Sequence, residues 1–392
     1  MAIASLMGGM VLSVNLLPTV QRMPAISMNQ IPHPPGCQPL RKLLFLLPGT
    51  TKQFFAGGLT AELKTLKIAQ RIVEAEVVTY RQKEADTLFL DDVLSDARYR
   101  DCLFVVSWGF DVPKLIRRIG NRPTLYHAHS AGYGFALPAR IPIMTVSRNT
   151  MSYWGEKALG SLIYHLPNEI SPAFENRCQP RDIDVLVQSR KSSEYLMQKL
   201  VPHLQARCKV VVLDSYVEDL VGLFNRATVY LYDSAEYWGR YGLTEGFGLP
   251  PMEAMACGCT VFSSVNHALA DYLDPGFNSY KIAGHSTGYD AQRILKVISD
   301  RSSQPGQQTD AALPVPVVPG SAVDASIDFF APYRPAQIEE RLRVILQEVN
   351  AFFDYQYQAQ VESDIPQLTR QRVFYLTLKR VVSKLKSKLR RD

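Results

Sequence analysis

The chain has 392 residues, of which 46% are hydrophobic and 20% are charged, and its formal net charge is +6. This composition excludes a disordered chain, a collagen and a small disulfide scaffold, and the length predicts roughly two or three domains. No segment reaches about 18 clean apolar residues, which excludes an integral membrane bundle. Residues 367–392 hold nine basic residues and one acidic residue, whereas the rest holds 34 basic and 36 acidic residues. The near-neutral remainder does not support nucleic-acid binding.

The start of the chain has an unusual composition. Residues 1–21 carry no charged side chain, but they lack the basic region and the cleavage signal of a secretory peptide. Three interpretations remain: a weak membrane-contacting leader, a disordered extension, or a native start at Met23 or Met28, and we favour the last two. A proline-rich run lies at 31–36. Residues 1–40 are therefore predicted to be a disordered N-terminal extension.

Strand and helix patterns alternate over residues 41–170. The apolar run 43–47 is typical of a buried strand, and a helical pattern follows over 59–73. Further strand candidates lie at 102–106, 123–127 and 141–146, with a helical stretch at 111–119. Such alternation predicts a parallel α/β sheet, here the first of two Rossmann-like domains.

A second alternation begins after the polar segment 171–182 and predicts another Rossmann-like domain over 181–300. Its expected strands lie at 183–187, 209–213, 228–232 and 259–262, and its helices at 193–204, 217–225 and 251–257. The fold class is therefore α/β, with two doubly wound domains and a ligand-binding cleft at their strand ends. Residues 301–330 are predicted to be a linker or a disordered insertion, and 335–392 to form C-terminal helices.

Two features bear on where the protein acts. Apolar residues recur at three and four positions from Phe374 to Leu389, with Lys and Arg on the opposite face. They predict a basic amphipathic helix that binds an anionic membrane surface through 367–392; the alternative is a helix packed on its own protein. The six cysteines lack disulfide or zinc spacing, which favours a reducing compartment. We expect a cytoplasmic protein, or one peripheral to the cytoplasmic membrane face.

The segment 244–264 is the most informative part of the sequence. Glu245 and Glu253 are eight positions apart, and glycines and prolines between them mark a loop that leads into a helix. Backbone N–H groups and the positive end of a helix dipole suit a diphosphate there. Glu253 could bind the two vicinal hydroxyls of a ribose, and Glu245 a sugar. The spacing alone could be an accident of a solvent-facing helix, but the glycines and prolines argue against this.

This segment resembles the E-x7-E signature of the retaining GT-B glycosyltransferases of family 4, the glycosyl transferases group 1. The resemblance covers most of residues 41–290, and further matching pieces lie in order at 43–59, 123–129, 145–147, 166–168 and 217–234. It implies the GT-B fold, in which two Rossmann-like domains face a central cleft.

The resemblance also implies the roles of individual residues. It assigns to the donor Arg190, Lys191, Glu245, Gly246, Phe247, Gly248, Leu249 and Glu253. Glu245 would hold the donor sugar, Glu253 the ribose and Arg190 the diphosphate. Gly57 and Gly58 would let the backbone approach a phosphate or the acceptor. His129 would face the transferring sugar, so the catalytic candidates are His129 and Glu245, with His127 as a rival histidine.

The sequence departs from the family in two places near the donor residues. The family has a lysine several positions after the arginine that corresponds to Arg190. Here Lys191 follows Arg190 directly, and Lys199 is distant. About eight extra residues lie within the aromatic segment 235–244, where they could shape the sugar or acceptor pocket. A D-x-D pair at Asp182 and Asp184 would hold a metal in GT-A enzymes, but it begins a strand here and is discounted.

The expected function is transfer of a sugar from a nucleotide-sugar donor, with UDP the commoner family choice, to a hydroxyl of a carbohydrate or lipid acceptor with retention of configuration. No cofactor or metal ion is expected, because a helix N-terminus and basic side chains replace the metal. Alternatives are a GT-B sugar-nucleotide epimerase or phosphorylase, a dinucleotide-dependent oxidoreductase, and a catalytically silent membrane scaffold that binds nucleotide sugars. Against the oxidoreductase, this sequence has no G-x-G-x-x-G fingerprint after the first strand, where Gly57 and Gly58 stand instead.

Overall fold

The computed structural model describes residues 39–54, 57–107, 109–215, 217–264, 266–284, 286–302 and 329–359, together with 374, 375 and 378, with side chains up to 356 in the last long helix. Most of the predicted N-terminal extension at 1–40, most of the insertion predicted at 301–330 and nearly all of the basic tail lie outside these residues. The described residues from Leu40 onward belong to one unit.

A seven-stranded parallel sheet occupies the first half of the described chain, in the order β3-β2-β1-β4-β5-β6-β7. Its strands are β1 (Leu43–Leu47), β2 (Ala75–Thr79), β3 (Leu88–Phe89), β4 (Leu103–Val106), β5 (Thr124–Ala128), β6 (Ile143–Thr145) and β7 (Ile163–His165), and its helices are α1 (Gly57–Ala69), α2 (Leu90–Ser95), α3 (Val112–Ile119) and α4 (Arg148–Lys157). All five residues of β1 are buried, as expected of a parallel sheet with both faces covered. The strand order reverses between β1 and β4, which opens a crevice at their carboxyl ends.

A five-stranded parallel sheet follows, in the order β12-β11-β10-β8-β9. Its strands are β8 (Ile183–Gln188), β9 (Val210–Leu213), β10 (Ala227–Tyr232), β11 (Thr260–Ser263) and β12 (Tyr280–Lys281), and its helices are α5 (Val201–Gln205), α6 (Leu220–Arg226), α7 (Ala235–Arg240), α8 (Leu249–Ala256) and α9 (Thr287–Ser302). Here the order reverses between β8 and β10, so the segments after Gln188 and Tyr232 begin at one crevice.

The last long helix, α10 (Pro335–Ala359), returns to the first sheet. Its apolar side chains are buried against β1 and its neighbours; they are Ile338, Leu342, Ile345, Leu346, Val349 and Phe353. At the start of β1, Arg41 forms an ion pair with Asp354 at 2.5 Å and donates to Asn350 Oδ1 at 2.7 Å. The helix that follows the second sheet in sequence therefore completes the core of the first.

The alternation predicted from the sequence is confirmed, and most of the predicted elements lie within three residues of their expected positions. The helix expected over 193–204 differs: a π-helical turn at Leu196–Leu200 precedes α5, because Pro202 has no N–H to give to the carbonyl four residues earlier. The sequence did not predict the strands β2, β3, β7 and β12, or the helices α2, α4, α9 and α7, the last of which lies inside the segment 235–244. No helix within the described ranges is both long and apolar enough to cross a membrane.

Candidate functional site

The E-x7-E segment folds into a loop followed by α8. Gly248 has a φ of +81° immediately before Leu249, and a Cβ on it would lie 2.2 Å from a neighbouring leucine side chain, so both conformation and packing require glycine. Pro250 and Pro251 fill the first turn. Because proline has no N–H, only Leu249 and Met252 have backbone N–H groups in that turn that can donate to a ligand. A bound diphosphate would therefore depend on cationic side chains as well.

Glu245 is buried and held by three donors at one carboxylate oxygen. Its Oε2 accepts hydrogen bonds from the Tyr232 hydroxyl, from Ser234 Oγ at 3.0 Å and from Trp238 Nε1 at 2.7 Å. Tyr232 ends β10, and Ser234 and Trp238 belong to the segment that follows it. Three donors on one oxygen fix the carboxylate rotamer and leave Oε1 as the oxygen that can accept from a ligand.

Glu253 lies on α8 and is 8% exposed. Burial raises the pKa of this carboxyl to about 7, against the opposing charge of Lys64 on α1. Within the described ranges, no donor is found at hydrogen-bond distance from the carboxylate, so its oxygens are available to a ligand. A carboxyl group with this pKa is deprotonated when ribose hydroxyls donate to it, because hydrogen bonds to the charged form favour that form.

The loop after β8 carries the two cations assigned to the donor. Arg190 is exposed, and no ion pair is found for it in the part of the chain that the structure describes. Lys191 lies with its Nζ 4.4 Å from the centre of the Trp238 ring. Burial lowers the pKa of Lys191. The positive charge of Arg190 lowers this pKa further, whereas the negative charge of Glu245 acts to raise it. Both cations therefore lie at the crevice where the second sheet reverses its order.

The loop between α7 and α8, residues 241–248, is the donor loop, and it contacts the end of β5 in the first sheet. A Cβ on Gly246 would lie 1.5 Å from the carbonyl oxygen of His129, so only glycine allows this approach. Beside it, Ser130 Oγ donates to the carbonyl of Thr244 at 2.6 Å, and Thr244 N–H donates to the carbonyl of Ala131 at 3.1 Å. The structure thus brings the two catalytic candidates, His129 and Glu245, to adjacent loops.

His129, which is partly exposed, forms a triad with the buried residues His127 and Glu62. Both imidazoles donate to Oε2 of Glu62, from His127 Nδ1 at 2.5 Å and from His129 Nε2 at 2.6 Å. Burial alone would raise the pKa of Glu62, but the histidines outweigh it and lower the pKa to about 2. Burial lowers the pKa of His129, as does His127, against the opposing effect of Glu62. Glu62 therefore stays ionised and fixes the orientation of the His129 ring.

The triad is also a candidate metal site, since one ligand atom from each residue lies within 4.8 Å of the other two. Tetrahedral ligands at about 2.0 Å from a zinc ion stand about 3.3 Å apart. The N···O distances of 2.5 and 2.6 Å are instead those of charge-assisted hydrogen bonds. The geometry fits a hydrogen-bonded triad better than a metal centre.

Other residues predicted for the site occupy less direct positions. Gly57 and Gly58 begin α1, are exposed, and would place a Cβ in open space; the space leaves room for a ligand, but packing does not require glycine there. Phe247 is buried against the rings of Tyr272 and Tyr333, and the Leu249 side chain packs on the same core. The side chains of Phe247 and Leu249 are therefore used in packing, and only the backbone of these residues is left to bind a ligand.

The sequence prediction missed Glu62 and Trp238. Glu62 lies on α1 among residues that are otherwise typical of an amphipathic helix, and only its position five residues after Gly57 placed it near the crevice. Trp238 lies in the aromatic segment that was expected to shape the pocket, but no single residue of that segment was assigned a role. The discounted D-x-D pair is structural: Asp182 pairs with Arg226 at 2.7 Å and with Lys209 at 2.9 Å.

The sequence profile described as Glycosyl transferases group 1 matches residues 183–311. No curated protein sequence matches the chain. Among solved structures, Anabaena Alr3699/HepE in complex with UDP and glucose is similar with a TM-score of 0.53 and 16% identity, over 79% of this chain and 100% of that chain. A glycosyltransferase from Rickettsia africae ESF-5 has a TM-score of 0.53 and 12% identity, over 79% of this chain and 98% of its own.

Identities this low establish a shared fold, whereas the family match rests on the second sheet and the donor loop. The expected fold and the resemblance to the family are both confirmed. The glycosyl transferases group 1 model matches residues 183–311, and the chain that contains them has the GT-B fold.

Proposed function

We propose that the protein transfers a sugar from a nucleotide-sugar donor, with UDP-sugars favoured, to a hydroxyl group of an acceptor with retention of configuration. The observation that carries the proposal is the contact between the Glu245 loop and the strand end that holds His129. The match of residues 183–311 to the glycosyl transferases group 1 model supports the glycosyl transfer. The similar Anabaena structure contains UDP and glucose, which favours a UDP-sugar over other donors.

The donor is proposed to bind along the edge of the second sheet. Glu253 accepts hydrogen bonds from the ribose, and its lack of a partner among the described residues supports this role. Arg190 and Lys191 bind the diphosphate, together with the N–H groups at the start of α8 and the backbone of Gly246 and Gly248. Glu245 presents its Oε1 to the donor sugar, because Oε2 is occupied by three protein donors.

To promote transfer, this site must stabilise the negative charge that develops on the leaving group. As the bond between the sugar and the diphosphate breaks, negative charge grows on the diphosphate, and fixed cations and backbone donors stabilise it without reorganising. Arg190 and Lys191 supply that charge in our proposal, so no metal ion is required. The acceptor hydroxyl attacks on the face that the diphosphate leaves, without a dedicated protein base, while His129 faces the transferring sugar.

The acceptor is proposed to be a membrane glycolipid or a lipid-linked cell-envelope saccharide. Phe374 is 70% exposed and Leu378 is 51% exposed, and at four positions apart on a helix they share one face. The basic residues of 367–392 surround this pair in the sequence. An exposed apolar face beside Lys and Arg suits an anionic membrane, which would place the enzyme at the cytoplasmic membrane face.

The membrane part of the proposal has its own experiment. The full chain should co-sediment with vesicles that contain anionic lipid and not with neutral vesicles, and deletion of 367–392 should remove the binding. A matched variant, Phe374→Ser with Leu378→Ser, keeps the charges and should weaken binding at constant salt. Equal binding of the deleted and the full chain would exclude this membrane contact.

The transfer itself is tested by UDP release from a panel of labelled UDP-sugars, with membrane lipids and oligosaccharides as acceptors. Glu245→Gln should lower the rate by about 100-fold, as loss of one transition-state interaction does. Glu253→Gln should weaken donor binding. The control Glu340→Gln changes an exposed glutamate on α10 and should leave the rate unchanged. Full activity in both site variants would refute the proposal.

The alternative enzymes predict different products from the same mixture. An epimerase would isomerise the sugar nucleotide without acceptor, and a phosphorylase would form a sugar phosphate from inorganic phosphate. A silent scaffold would bind the nucleotide without turnover. Product analysis by NMR separates these outcomes from transfer and also gives the anomeric configuration of a transferred sugar.

A further inference from the structure

The helix α7 lies between Lys191, which is assigned to the donor diphosphate, and Glu245, which is assigned to the donor sugar. It is formed by the aromatic segment that follows β10 and ends just before the Glu245 loop. Its Trp238 contacts both sides. The indole Nε1 donates to Glu245 Oε2 at 2.7 Å, and the ring lies beneath Lys191, whose Nζ is 4.4 Å from the ring centre.

The helix is fastened to the loop that carries the cations. Glu194 N–H donates to Glu236 Oε2 at 2.8 Å, and Arg240 Nη2 donates to Glu194 Oε1 at 2.7 Å. One residue earlier, Ser193 N–H donates to the carbonyl of Asp233 at 3.0 Å. Since α7 is anchored on both sides of Trp238, the indole has a fixed position relative to the cation loop.

Lys191 is held in a state that leaves its ammonium free for an anion. Its backbone has a φ of +68°, a left-handed conformation that non-glycine residues rarely adopt and that often marks functional sites. No carboxylate lies at ion-pair distance from its Nζ among the residues that the structure describes. An aromatic face attracts an ammonium group but accepts none of its N–H bonds in the way a carboxylate does. All three donors can therefore turn to a phosphate.

We propose that Trp238 is a positioning residue for the nucleotide-sugar donor: its ring holds Lys191 for the diphosphate, while its N–H holds Glu245 for the sugar. This inference rests on the proposed function and adds to it one side chain that sets the geometry of two subsites. The adjacent lysine takes the place of the family's later lysine because the inserted helix α7 supplies the aromatic support.

The two contacts of Trp238 can be removed separately. Trp238→Phe keeps an aromatic ring under Lys191 but loses the N–H to Glu245, and Trp238→Leu loses both contacts. Lys191→Gln removes the cation. The control is Tyr241→Leu, an exposed aromatic residue at the end of α7 whose ring lies against Tyr237. UDP binding is measured by calorimetry, and kcat and KM are measured with the best UDP-sugar.

We expect Trp238→Leu to weaken UDP binding about tenfold, which corresponds to about 1.4 kcal/mol. Lys191→Gln should do the same, and the double variant should bind UDP no more weakly than Lys191→Gln alone, because the ring acts through the lysine. Trp238→Phe should bind UDP within about threefold of the wild type and lose about tenfold in kcat. Tyr241→Leu should match the wild type in both.

Additive losses in the double variant, or wild-type UDP affinity in Trp238→Leu, would overturn the inference. Equal kcat in Trp238→Phe and the wild type would overturn the role at Glu245. Circular dichroism identifies a variant that fails to fold. If Trp238→Leu fails, Trp238→Phe still tests the contact with Glu245, and Lys191→Gln still tests the cation. If the wild type itself binds no nucleoside diphosphate, the proposed function fails rather than the role of Trp238.

Discussion

Replacing Glu62 by glutamine tests the triad, because it removes the charge and keeps an acceptor oxygen in place. The histidines lower the pKa of Glu62 from 4.5 to about 2. At ~1.36 kcal/mol for each pH unit by which the pKa falls, this corresponds to at most about 3 kcal/mol of folding stability. Glu62→Gln should therefore lower the free energy of unfolding by up to this amount at pH 7.5.

The sign of the pH dependence comes from the lowered pKa. The folded state keeps Glu62 ionised at pH values where the unfolded chain takes up a proton, so the stabilisation is complete above pH 4.5 and is lost as the pH falls toward 2. By pH 3.5, the wild type should have lost on the order of 1 kcal/mol of its advantage over Glu62→Gln.

Urea unfolding of the wild type, Glu62→Gln and the exposed control Glu340→Gln at pH 7.5, 5.5 and 3.5 measures this difference directly. The control should follow the wild type at every pH. Two results would refute the assignment of an ionised, histidine-bound carboxylate. One is equal stability of the wild type and Glu62→Gln at pH 7.5, and the other is a stability difference that is as large at pH 3.5 as at pH 7.5.

Three further predictions concern the donor loop and the metal question. Gly246→Ala should destabilise the fold by about 3 kcal/mol, because its Cβ would meet the His129 carbonyl, whereas Gly57→Ala should change stability by less than about 0.5 kcal/mol; urea unfolding shows whether the two differ. Because burial raises the pKa of Glu253 to about 7, affinity for a UDP-sugar, whose diphosphate does not titrate here, should rise about tenfold from pH 6 to 8. Calorimetry should show no such rise in Glu253→Gln; an equal rise would contradict the ribose role. Transfer activity should survive EDTA. A loss that Zn²⁺ restores would contradict the hydrogen-bonded triad, and a loss that Mg²⁺ restores would contradict the metal-free stabilisation of the diphosphate.

The donor loop could be predicted from the sequence because its constraints are local. Gly248 needs a left-handed backbone and the prolines need a first helical turn, so both leave a mark within a few residues of Glu245 and Glu253. The apolar runs of the parallel strands are local for the same reason, since strands buried on both faces are apolar throughout. These elements therefore appeared at their expected positions.

The partners of the site residues could not be predicted because they come from distant segments. Glu62 meets His127 and His129 across more than sixty residues, and a buried glutamate has the same local pattern as one on a helix surface. The packing of α10 on β1 joins residues about 300 apart. The role of Trp238 depends on α7 docking beside Lys191, which no periodicity in the sequence encodes.

The cleft edge of the second sheet is proposed to bind a nucleoside diphosphate through Glu253, and a thermal-shift assay measures this binding. Purified protein and Glu253→Ala are melted with UDP, GDP, ADP and NAD. A ligand at 100 times its Kd stabilises the folded state by about 2.7 kcal/mol. We predict a shift with UDP that is weaker in Glu253→Ala. A shift with NAD alone, or no shift with any nucleotide, would contradict binding of a nucleoside diphosphate at this edge.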